Sequence, residues 1–412
     1  MIDKDKHIPQ GYKDSPLGII PKEWEVKRIG DFGKVVTGST PPTNDLENYG
    51  SLYKFVGPVD ITEKKYIGKT EKSLSKKGFS LSRCMPKRSV LFTCIGSTIG
   101  KCAIANEDLT SNQQINAIIC DTDHSPEYLY YELSNRSNRI RQIAAEQAVP
   151  IINKSTFENF KIICPPLSEQ EIIANVLSLW DIAIEKQSEL IEKLTLRKRA
   201  LMQQLLTGKT RLPGYSRKWK RMDIKTFAKE VSIRNNSGNK YTVLSCTKYD
   251  GLVPSLEYFG KQIYSNDLST YKIVPLNHFV YATNHIEEGS IGYQSNYGNG
   301  LISPMYTVFS TNKNFVDDTF LFAILKSHHL IYLYQSMMEG SINRRGGLRW
   351  DSFSTIKIDL PSLDEQKAIS VFLHDMDKEI ELANKKLANL KSQKRGLMQQ
   401  LLTGKKRIKQ GG

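Results

Sequence analysis

Cysteine is sparse in this sequence, and its spacing excludes the usual cysteine-based frameworks. The chain of 412 residues contains six cysteines and no Cys-x-x-Cys pair, and most of the six lie in apolar surroundings. This pattern argues against a structural zinc site and against a disulfide scaffold. We therefore expect reduced cysteines in a cytoplasmic protein that holds no metal.

The sequence also lacks long apolar runs and an excess of acidic residues. No stretch is long enough to cross a bilayer, and the opening residues MIDKDKHIPQ lack the apolar core of a signal peptide. Against 43 aspartates and glutamates stand 58 lysines and arginines, which gives a net charge of +15. Such an excess predicts a polyanionic partner, and without a membrane span nucleic acid is favoured over a membrane.

The sequence also lacks a nucleotide-hydrolysis loop. The stretch GSTIGK (96–101) resembles one, but it has three residues between its glycines where a P-loop has four. Cys102 stands where the P-loop needs a hydroxyl to hold Mg²⁺. We interpret the stretch as the turn of a β-hairpin, with strands at 90–92 and 102–104.

Other catalytic signatures are absent. Neither Pro-Pro pair is followed by the aromatic residue that an amino-methyltransferase needs, and the Gly-x-Gly at 298–300 lacks the third glycine of a dinucleotide site. His285 and the pair His328/His329 show no ligand spacing to cysteine or carboxylate. The sequence therefore predicts a protein that binds rather than catalyses.

What the sequence does contain is a duplication. PPLSEQEIIANVLSLWD begins at Pro165 and PSLDEQKAISVFLHDMD begins at Pro361, and the two copies stay aligned at an offset of 196 residues until both end in LMQQLLTGK. The preceding segments repeat more faintly, with Trp24 matching Trp219 and Phe32 matching Phe227. The chain therefore consists of two half-molecules, each a globular module followed by a long helix.

Each long helix has recognisable ends and one apolar seam. Ser168 and Asp364 are expected N-caps, and Gly208 and Gly404 are expected stops. Apolar residues recur every 3.5 positions on average, which is typical of a coiled coil. The predicted helix-pair interface consists of Ile173, Leu177, Trp180, Ile184, Ile191, Leu194, Leu201, Leu205, Ile369, Leu373, Met376, Ile380, Leu387, Leu390, Leu397 and Leu401.

The expected fold class is α+β. We predict two β-rich recognition domains separated by two long helices that pack as an antiparallel coiled coil, with a pseudo-two-fold internal repeat. The expected boundaries are 1–164 for the first domain, 165–208 for the first helix, 209–360 for the second domain, and 361–412 for the second helix with a basic tail.

This order of module and helix, with PPLSEQ at the start of a helix and LMQQLLTG at its end, resembles the specificity subunit of type I restriction–modification systems. The GSTIGK hairpin and SNQQINAII (111–119) resemble recurring pieces of that family's target-recognition domains. The resemblance implies a non-catalytic subunit whose two domains each read one half of a split double-stranded DNA target. Its helices would form the spacer and the docking surface for two methyltransferase (modification) subunits.

The resemblance also implies where the chemistry resides. S-adenosylmethionine would belong to the modification subunits, which methylate adenine N6, and ATP and Mg²⁺ would belong to the partner subunits, two of which translocate and cleave DNA. No cofactor is expected on this chain. The second module departs from the first at EEGSIGYQSNYGNG (287–300), which implies different half-targets. A coiled-coil scaffold or adaptor without DNA specificity is the alternative function.

Candidate DNA contacts fall into two groups, because phosphate contacts position a protein and base contacts specify sequence. For base reading we favour GSINRRGGLRW (340–350), since arginine can bind guanine O6 and N7 together. Its counterpart in the first module is EQAVPIINKS (146–155). A solvated face remains the alternative for each lysine, and a structural turn for the base-reading stretches. Predicted base readers are Asn343, Arg344, Arg345, Arg349, Asn153 and Lys154; predicted phosphate ligands are Lys64, Lys65, Lys69, Lys76, Lys77, Arg217 and Lys218.

Overall fold

The structure, a computed structural model, describes residues 8–144, 150–339 and 347–408. The chain divides into two compact units. Unit 1 comprises Met1–Glu189 and Asn384–Gly412, and unit 2 comprises Leu190–Ala383. Each unit therefore contains one module together with the first half of one long helix and the second half of the other.

The module of unit 1 is β-rich. Its strands are β1 (Tyr12–Lys13), β2 (Ile20–Pro21), β3 (Glu25–Arg28), β4 (Gly33–Thr37), β5 (Tyr49–Val56), β6 (Lys72–Leu74), β7 (Val90–Thr93), β8 (Cys102–Ile104), β9 (Thr110–Ser111), β10 (Ile115–Cys120) and β11 (Lys161–Cys164). The helices are α1 (Lys76–Ser80), α2 (Pro126–Ala144) and α3 (Lys154–Glu158), and the first long helix is α4 (Leu167–Leu206). A four-stranded antiparallel sheet of order β4-β10-β7-β8 lies beside a three-stranded sheet of order β6-β5-β9, and β11 pairs with β3.

Unit 2 repeats this plan. Its strands are β12 (Lys220–Asp223), β13 (Ala228–Glu230), β14 (Thr242–Thr247), β15 (Gly251–Pro254), β16 (Lys272–Val274), β17 (Phe279–Ala282), β18 (Ile291–Tyr293), β19 (Gly300–Ile302), β20 (Tyr306–Thr311) and β21 (Lys357–Leu360). The helices are α5 (Ser255–Phe259), α6 (Asp318–Leu325), α7 (His328–Glu339), α8 (Trp350–Phe353) and the second long helix α9 (Leu363–Leu401). The sheet β13-β20-β17-β18 copies the strand order of unit 1, β21 pairs with β12, and β16 is added to the second sheet.

The hairpin predicted around GSTIGK is confirmed. β7 and β8 pair antiparallel with Phe92 opposite Cys102. Gly96 and Gly100 have φ angles of +90° and +97°, a region that glycine adopts without strain. The two glycines therefore serve the turn geometry.

The long helices run antiparallel within each unit. In unit 1, Asp181 of α4 pairs with Lys394 of α9, and Glu169 near the start of α4 pairs with Arg407 beyond the end of α9. Unit 2 repeats both contacts 196 residues along, as Lys198 with Asp377 and Arg211 with Glu365. The predicted α+β fold class, its internal repeat and the antiparallel helix pair are confirmed.

The predicted seam faces inward. Each predicted helix-pair residue is buried or half-buried, and Leu177, Ile369 and Leu401 are almost completely so. The core of unit 1 combines Ile173 and Leu177 from α4 with Leu401 from α9, and unit 2 combines Leu205 with Ile369 in the same way. Burial of these side chains anchors each module to both helices.

The helix stops are confirmed and the N-caps are wrong. Gly208 and Gly404 follow the ends of α4 and α9 with φ angles of +68° and +71°. Ser168 and Asp364 already lie inside helices that begin at the preceding leucines, so neither residue can be a cap. Before α4 the Pro166 carbonyl accepts the Glu169 N–H at 2.9 Å and the Gln170 N–H at 3.0 Å, and before α9 the Ser362 hydroxyl accepts the Glu365 N–H at 3.4 Å.

All six cysteines are free thiols. Burial raises the pKa of Cys94 to about 12 and that of Cys164 to about 11, so both are neutral and unreactive at physiological pH. Cys84 is exposed. Within the described ranges, no helix combines the length and the apolar character needed to cross a membrane.

Candidate nucleic-acid interface

One end of the main sheet in unit 1 brings four separate segments together. The Cys94 N–H donates to the Gln114 carbonyl at 2.8 Å, and the Ile152 N–H donates to the Cys94 carbonyl at 2.8 Å. The Ser39 N–H donates to the Ser111 carbonyl at 2.9 Å on the other side. These bonds align segments 37–40, 111–114, 94–98 and 150–154, which we call the unit 1 edge.

Exposed polar side chains occupy this edge. The Thr40 hydroxyl donates to Gln113 Oε1 at 2.8 Å, and both side chains are exposed, as is Ser97. The donated bond leaves the Gln113 amide group able to donate its own hydrogens. Glutamine can bind adenine N6 and N7 together, so the chemistry suits a base edge.

The two predicted base readers of unit 1 have local partners. Asn153 is exposed and caps α3, because its Oδ1 accepts the Thr156 N–H at 2.8 Å. Lys154 is exposed and pairs with Glu158 at 3.4 Å. The side-chain oxygen Oδ1 of Asn153 is therefore already used to cap α3. The ion pair of Lys154 is exposed, and exposed ion pairs contribute little stability.

Unit 2 builds the same edge with other side chains. The Leu348 N–H donates to the Thr283 carbonyl at 2.8 Å, and the Thr283 hydroxyl donates to the Met305 carbonyl at 2.8 Å. Gly347 packs so closely that a Cβ there would lie 2.4 Å from the Thr283 oxygen, and its φ is +62°. The register of β20 and β10 places Met305, which is 62% exposed, where unit 1 has Gln114. We call segments 283–288, 303–306 and 347–349 the unit 2 edge.

Arg349 lies on the unit 2 edge. It is exposed and precedes α8, the position that Asn153 occupies before α3, but it makes no side-chain cap. Its guanidinium group is therefore not committed to the helix start. The other predicted base readers of this stretch, Asn343, Arg344 and Arg345, lie outside the described residues.

The lysines predicted to bind phosphate differ in their surroundings. The Lys65 side chain is half-buried, and its Nζ donates to Ser178 Oγ at 2.7 Å and to the Tyr131 hydroxyl at 3.3 Å. Burial lowers the pKa of Lys65. Lys64 is exposed and pairs with Glu185 of α4 at 3.0 Å. These contacts with the long helix argue against a phosphate-binding role for Lys65 and give Lys64 a protein partner instead.

The remaining predicted phosphate ligands are exposed. Lys77 pairs with Asp45 at 2.8 Å and Glu47 at 2.7 Å, and these carboxylates raise its pKa. Lys69 and Lys76 form no ion pair with any residue that the structure describes. In the linker after α4, the side chains of Arg217 and Lys218 are exposed. Lys69, Lys76, Arg217 and Lys218 therefore remain candidates for phosphate.

Sequence reasoning missed three residues of the two edges. Thr40, Gln113 and Met305 come from segments without a charge run or a glycine motif, so composition alone does not single them out. A usable signal was the polar pair Gln113-Gln114 directly before a buried apolar strand, since such residues lie at the end of a sheet. Only the pairing of distant segments shows that Thr40 and Gln113 share one surface.

His285, Glu287 and Glu288 lie together on the unit 2 edge. One ligand atom from each falls within 4.8 Å of the others, so the prediction that His285 shows no ligand spacing to a carboxylate is wrong. The two glutamates follow His285 by two and three residues, and the short turn at 286–288 brings them close to the imidazole. His285 and Glu288 are exposed, and an exposed acidic cluster by itself does not identify a metal site.

Comparison with known proteins agrees with this architecture. The family model described as type I restriction modification DNA specificity domain matches residues 21–196 and 223–392. The chain is 26% identical to the type I restriction enzyme MjaVIII specificity subunit of Methanocaldococcus jannaschii, and the match covers 95% of this chain and 94% of the relative. It is 36% identical to the MjaIX specificity subunit of the same organism over 194 residues, a match that spans 45% of each chain.

Solved structures show the same fold. A chain from a study of complex assembly and conformational transition in a type I R-M system has a TM-score of 0.61 at 15% identity, covering 93% of this chain and 99% of that one. The type I restriction–modification S subunit from M. genitalium has a TM-score of 0.53 at 16% identity, with 92% and 96% covered. At these identities the likeness concerns the fold.

Proposed function

Because the chain belongs to the type I restriction modification DNA specificity family, we propose that it reads a split double-stranded DNA target and directs partner subunits to it. Residues 1–164 and 209–360 are the two target-recognition domains of this proposal, and 165–208 and 361–412 are the spacer helices with the basic tail. The chain itself is non-catalytic. Adenine-N6 methylation and restriction belong to the partner subunits.

The observation that carries the proposal is the edge built twice with different side chains. Corresponding segments are joined in both units, by the Cys94 and Ile152 N–H groups in unit 1 and by the Thr283 hydroxyl and the Leu348 N–H in unit 2, with Gln114 and Met305 at matching positions. Equivalent backbones with glutamine in one copy and methionine in the other suit two different short sequences. The net charge of +15 supplies the sequence-independent attraction to phosphate.

The proposed partners are two modification subunits, and two restriction subunits in the complete complex. The long helices carry exposed apolar side chains outside the seam: Leu179 is 66% exposed, Ile182 is 53% exposed, and Leu382 is 65% exposed. Leu179 and Ile182 are three residues apart in α4 and therefore lie on one face of the helix, which we expect a partner subunit to cover. S-adenosylmethionine, ATP and Mg²⁺ are bound by these partners, and the complex works in the cytoplasm, where the chromosome lies.

The experiment that tests the proposal is to map methylated adenines in cells that carry this chain with its modification subunits. A motif of two short half-sites separated by an unspecified gap is expected. Gln113→Ala should relax one half-site and Met305→Ala the other, because each residue lies on one edge only. A specific base contact is worth about 1–3 kcal/mol, so discrimination should fall about 5- to 150-fold at the affected position. An unsplit motif, or relaxation of both halves by one substitution, would contradict the proposal.

The helices offer a second test, because their paired register predicts that their length sets the gap between the two half-sites. Seven residues inserted after Glu192, with seven more after Leu382, keep both seams in register and lengthen each helix by about 10 Å. The gap in the motif should grow by about three base pairs. A heptad inserted into α4 alone should prevent assembly, since the ion pairs of Asp181 and Lys198 can no longer both form. A coiled-coil adaptor without DNA specificity would yield no motif with either variant.

A further inference from the structure

The connection between β5 and β6 lies against the long helices of unit 1. It spans 57–71, and three consecutive residues in it contact α4 or α9. Glu63 pairs with Lys391 at 3.2 Å, Lys64 pairs with Glu185 at 3.0 Å, and Lys65 Nζ donates to Ser178 Oγ at 2.7 Å. We call residues 63–65 the clamp.

Lys65 is the centre of the clamp, because it joins a cluster shared by the module and both helices. Its Nζ lies 3.3 Å from the Tyr131 hydroxyl of α2 and 5.5 Å from the centre of the Tyr131 ring. The Tyr131 hydroxyl donates to Asp181, which pairs with Lys394, and Lys394 Nζ lies 5.2 Å from the same ring. Half-burial makes these contacts stronger than ordinary surface ion pairs.

The clamp is a second attachment, well separated from the first. The module already joins the helix pair near the start of α4, where the Trp24 indole donates to Glu169 at 3.0 Å. Glu185 lies sixteen residues further along α4 than Glu169, which corresponds to about 24 Å of helix. One attachment leaves a domain free to swing about that point, whereas two attachments at this separation set its angle to the helix.

Unit 2 has a short connection at the same place in its second sheet. Residues 248–250 join β14 to β15, and the contacts that the structure describes for them stay within the module. The Lys248 carbonyl accepts a bond from Lys326 Nζ at 2.9 Å, and Asp250 accepts one from the Tyr258 hydroxyl at 2.7 Å. Tyr249, at the tip, is 81% exposed. The clamp is therefore an addition to unit 1 rather than part of the repeated plan.

We propose that Glu63, Lys64 and Lys65 are positioning residues that fix the angle of the first target-recognition domain on the spacer helices and so restrict the gap between the two half-sites. The inference rests on the proposed function, since it assumes a split target. It assigns these residues to gap selection, through contacts with protein, rather than to affinity through contacts with phosphate.

The test uses the complex of this chain with its modification subunits, and DNA targets whose gap has the native length or differs by one base pair either way. The clamp variant carries Glu63→Lys, Lys64→Glu and Lys65→Met. Its preference for the native gap should fall at least fivefold relative to wild type. Adding Glu185→Lys and Lys391→Glu restores both exposed ion pairs with exchanged signs and should recover part of that preference.

Two controls distinguish gap selection from phosphate binding and from unfolding of the module. Lys69→Glu changes charge in the same connection and should weaken binding to all three gap lengths equally. The double variant Glu63→Lys, Lys64→Glu alters exposed side chains only, so it tests the clamp without disturbing the core. In the clamp variant and the double variant, the rate of amide hydrogen exchange should rise in 57–71. It should stay unchanged in β7 and β10, which would show that the module remains folded.

The possible outcomes are distinct. An unchanged gap preference in the clamp variant overturns the inference, and so does a uniform loss of affinity at every gap length, because that is the behaviour of a phosphate ligand. Faster exchange in 57–71 together with a lost preference supports it. A wild-type complex that does not distinguish split from unsplit DNA rejects the proposed function instead, and the inference falls with it.

Discussion

Glu169 and Glu365 occupy equivalent places in the two units and have different partners. In unit 1 the Glu169 carboxylate is shared, because the Trp24 indole donates to one oxygen at 3.0 Å and Arg407 donates to the other. In unit 2 both oxygens of Glu365 accept from Arg211, at 2.5 and 2.6 Å. Glu365 is 1% exposed, whereas 16% of the Glu169 side chain is exposed.

The matching tryptophans, Trp24 and Trp219, also differ in their contacts. Trp219 has no hydrogen-bond partner for its buried Nε1 in the part of unit 2 that the structure describes. Its ring instead lies 5.6 Å from the Arg211 guanidinium group, a cation–π distance. Glutamate, tryptophan and arginine thus form two different junctions. In unit 1 the carboxylate is shared between tryptophan and arginine, and in unit 2 it forms a bidentate ion pair with an arginine that lies over the tryptophan ring. A sequence repeat preserves which residues meet and leaves open how they bond.

The largest effect is expected from removing the charge of Glu365. Glu365→Gln leaves Arg211 without its buried carboxylate and should lower the free energy of opening of unit 2 by about 3 kcal/mol. Glu169→Gln should cost unit 1 only about 1 kcal/mol, because glutamine still accepts from Trp24 and Arg407 keeps its pair with Glu23 at 3.1 Å. Amide hydrogen exchange resolved by unit provides the measurement. Equal losses in the two units would mean that the junctions are energetically alike.

The next largest difference concerns the two edges. Arg349→Ala should weaken binding of the complex to its cognate target by about 1–3 kcal/mol and relax one half-site, if the arginine binds a guanine. Asn153→Ala, at the equivalent position before α3, should cost about 1 kcal/mol of stability through loss of a helix cap. Competition binding with cognate and scrambled DNA separates the two effects. A wild-type ratio of affinities for the Arg349 variant would remove this residue from the interface.

A smaller difference should distinguish the tryptophans. Trp24→Phe removes a hydrogen bond to a carboxylate and should destabilise unit 1 by about 1–2 kcal/mol. Trp219→Phe removes an indole N–H that has no partner in the described residues, so lost contacts and relieved desolvation should offset each other to within about 0.5 kcal/mol. Exchange rates in β3 and β12 report on the two sites. A larger loss in unit 2 than in unit 1 would refute this interpretation of the junctions.

The smallest effect is a difference in pH dependence. Glu132 of α2 is completely buried, and burial raises its pKa above the usual value, while unit 2 has Ile324 at the equivalent place in α6. A raised pKa in the folded state means that its stabilising contribution is present below the ordinary glutamate pKa of about 4.3 and is lost as the pH rises through the raised value. Unit 1 should therefore lose stability over this range and unit 2 should not.

Glu132→Gln provides the matched comparison for that prediction. The amide can still accept the Ile163 N–H, which lies 3.1 Å from Glu132 Oε1, but it does not titrate. Urea unfolding followed at several pH values above about 4 should show that the free energy of unfolding of unit 1 depends less on pH in the variant than in wild type. Identical slopes for wild type and variant would show that another group causes the pH dependence.

The repeat, the helices and their seam were predictable from the sequence, and so was the hairpin at Gly96–Gly100, because they depend on local order. A period of 3.5 residues places Leu177 on the apolar face of α4 and Leu373 on the apolar face of α9, whatever the surrounding fold. Gly208 and Gly404 end their helices because glycine adopts positive φ without strain. Charge predicted the polyanionic partner, since the sum of charges does not depend on the fold.

The bonding partners of individual side chains were decided only by the tertiary structure. Lys64 and Lys65 looked like phosphate ligands in the sequence, yet both contact α4. Glu63 meets Lys391, more than 300 residues away, and no local pattern links them. Periodicity and backbone chirality act over a few residues and can be recognised in the chain. An ion pair forms only where packing brings two groups within a few ångströms, so its identity depends on the whole fold.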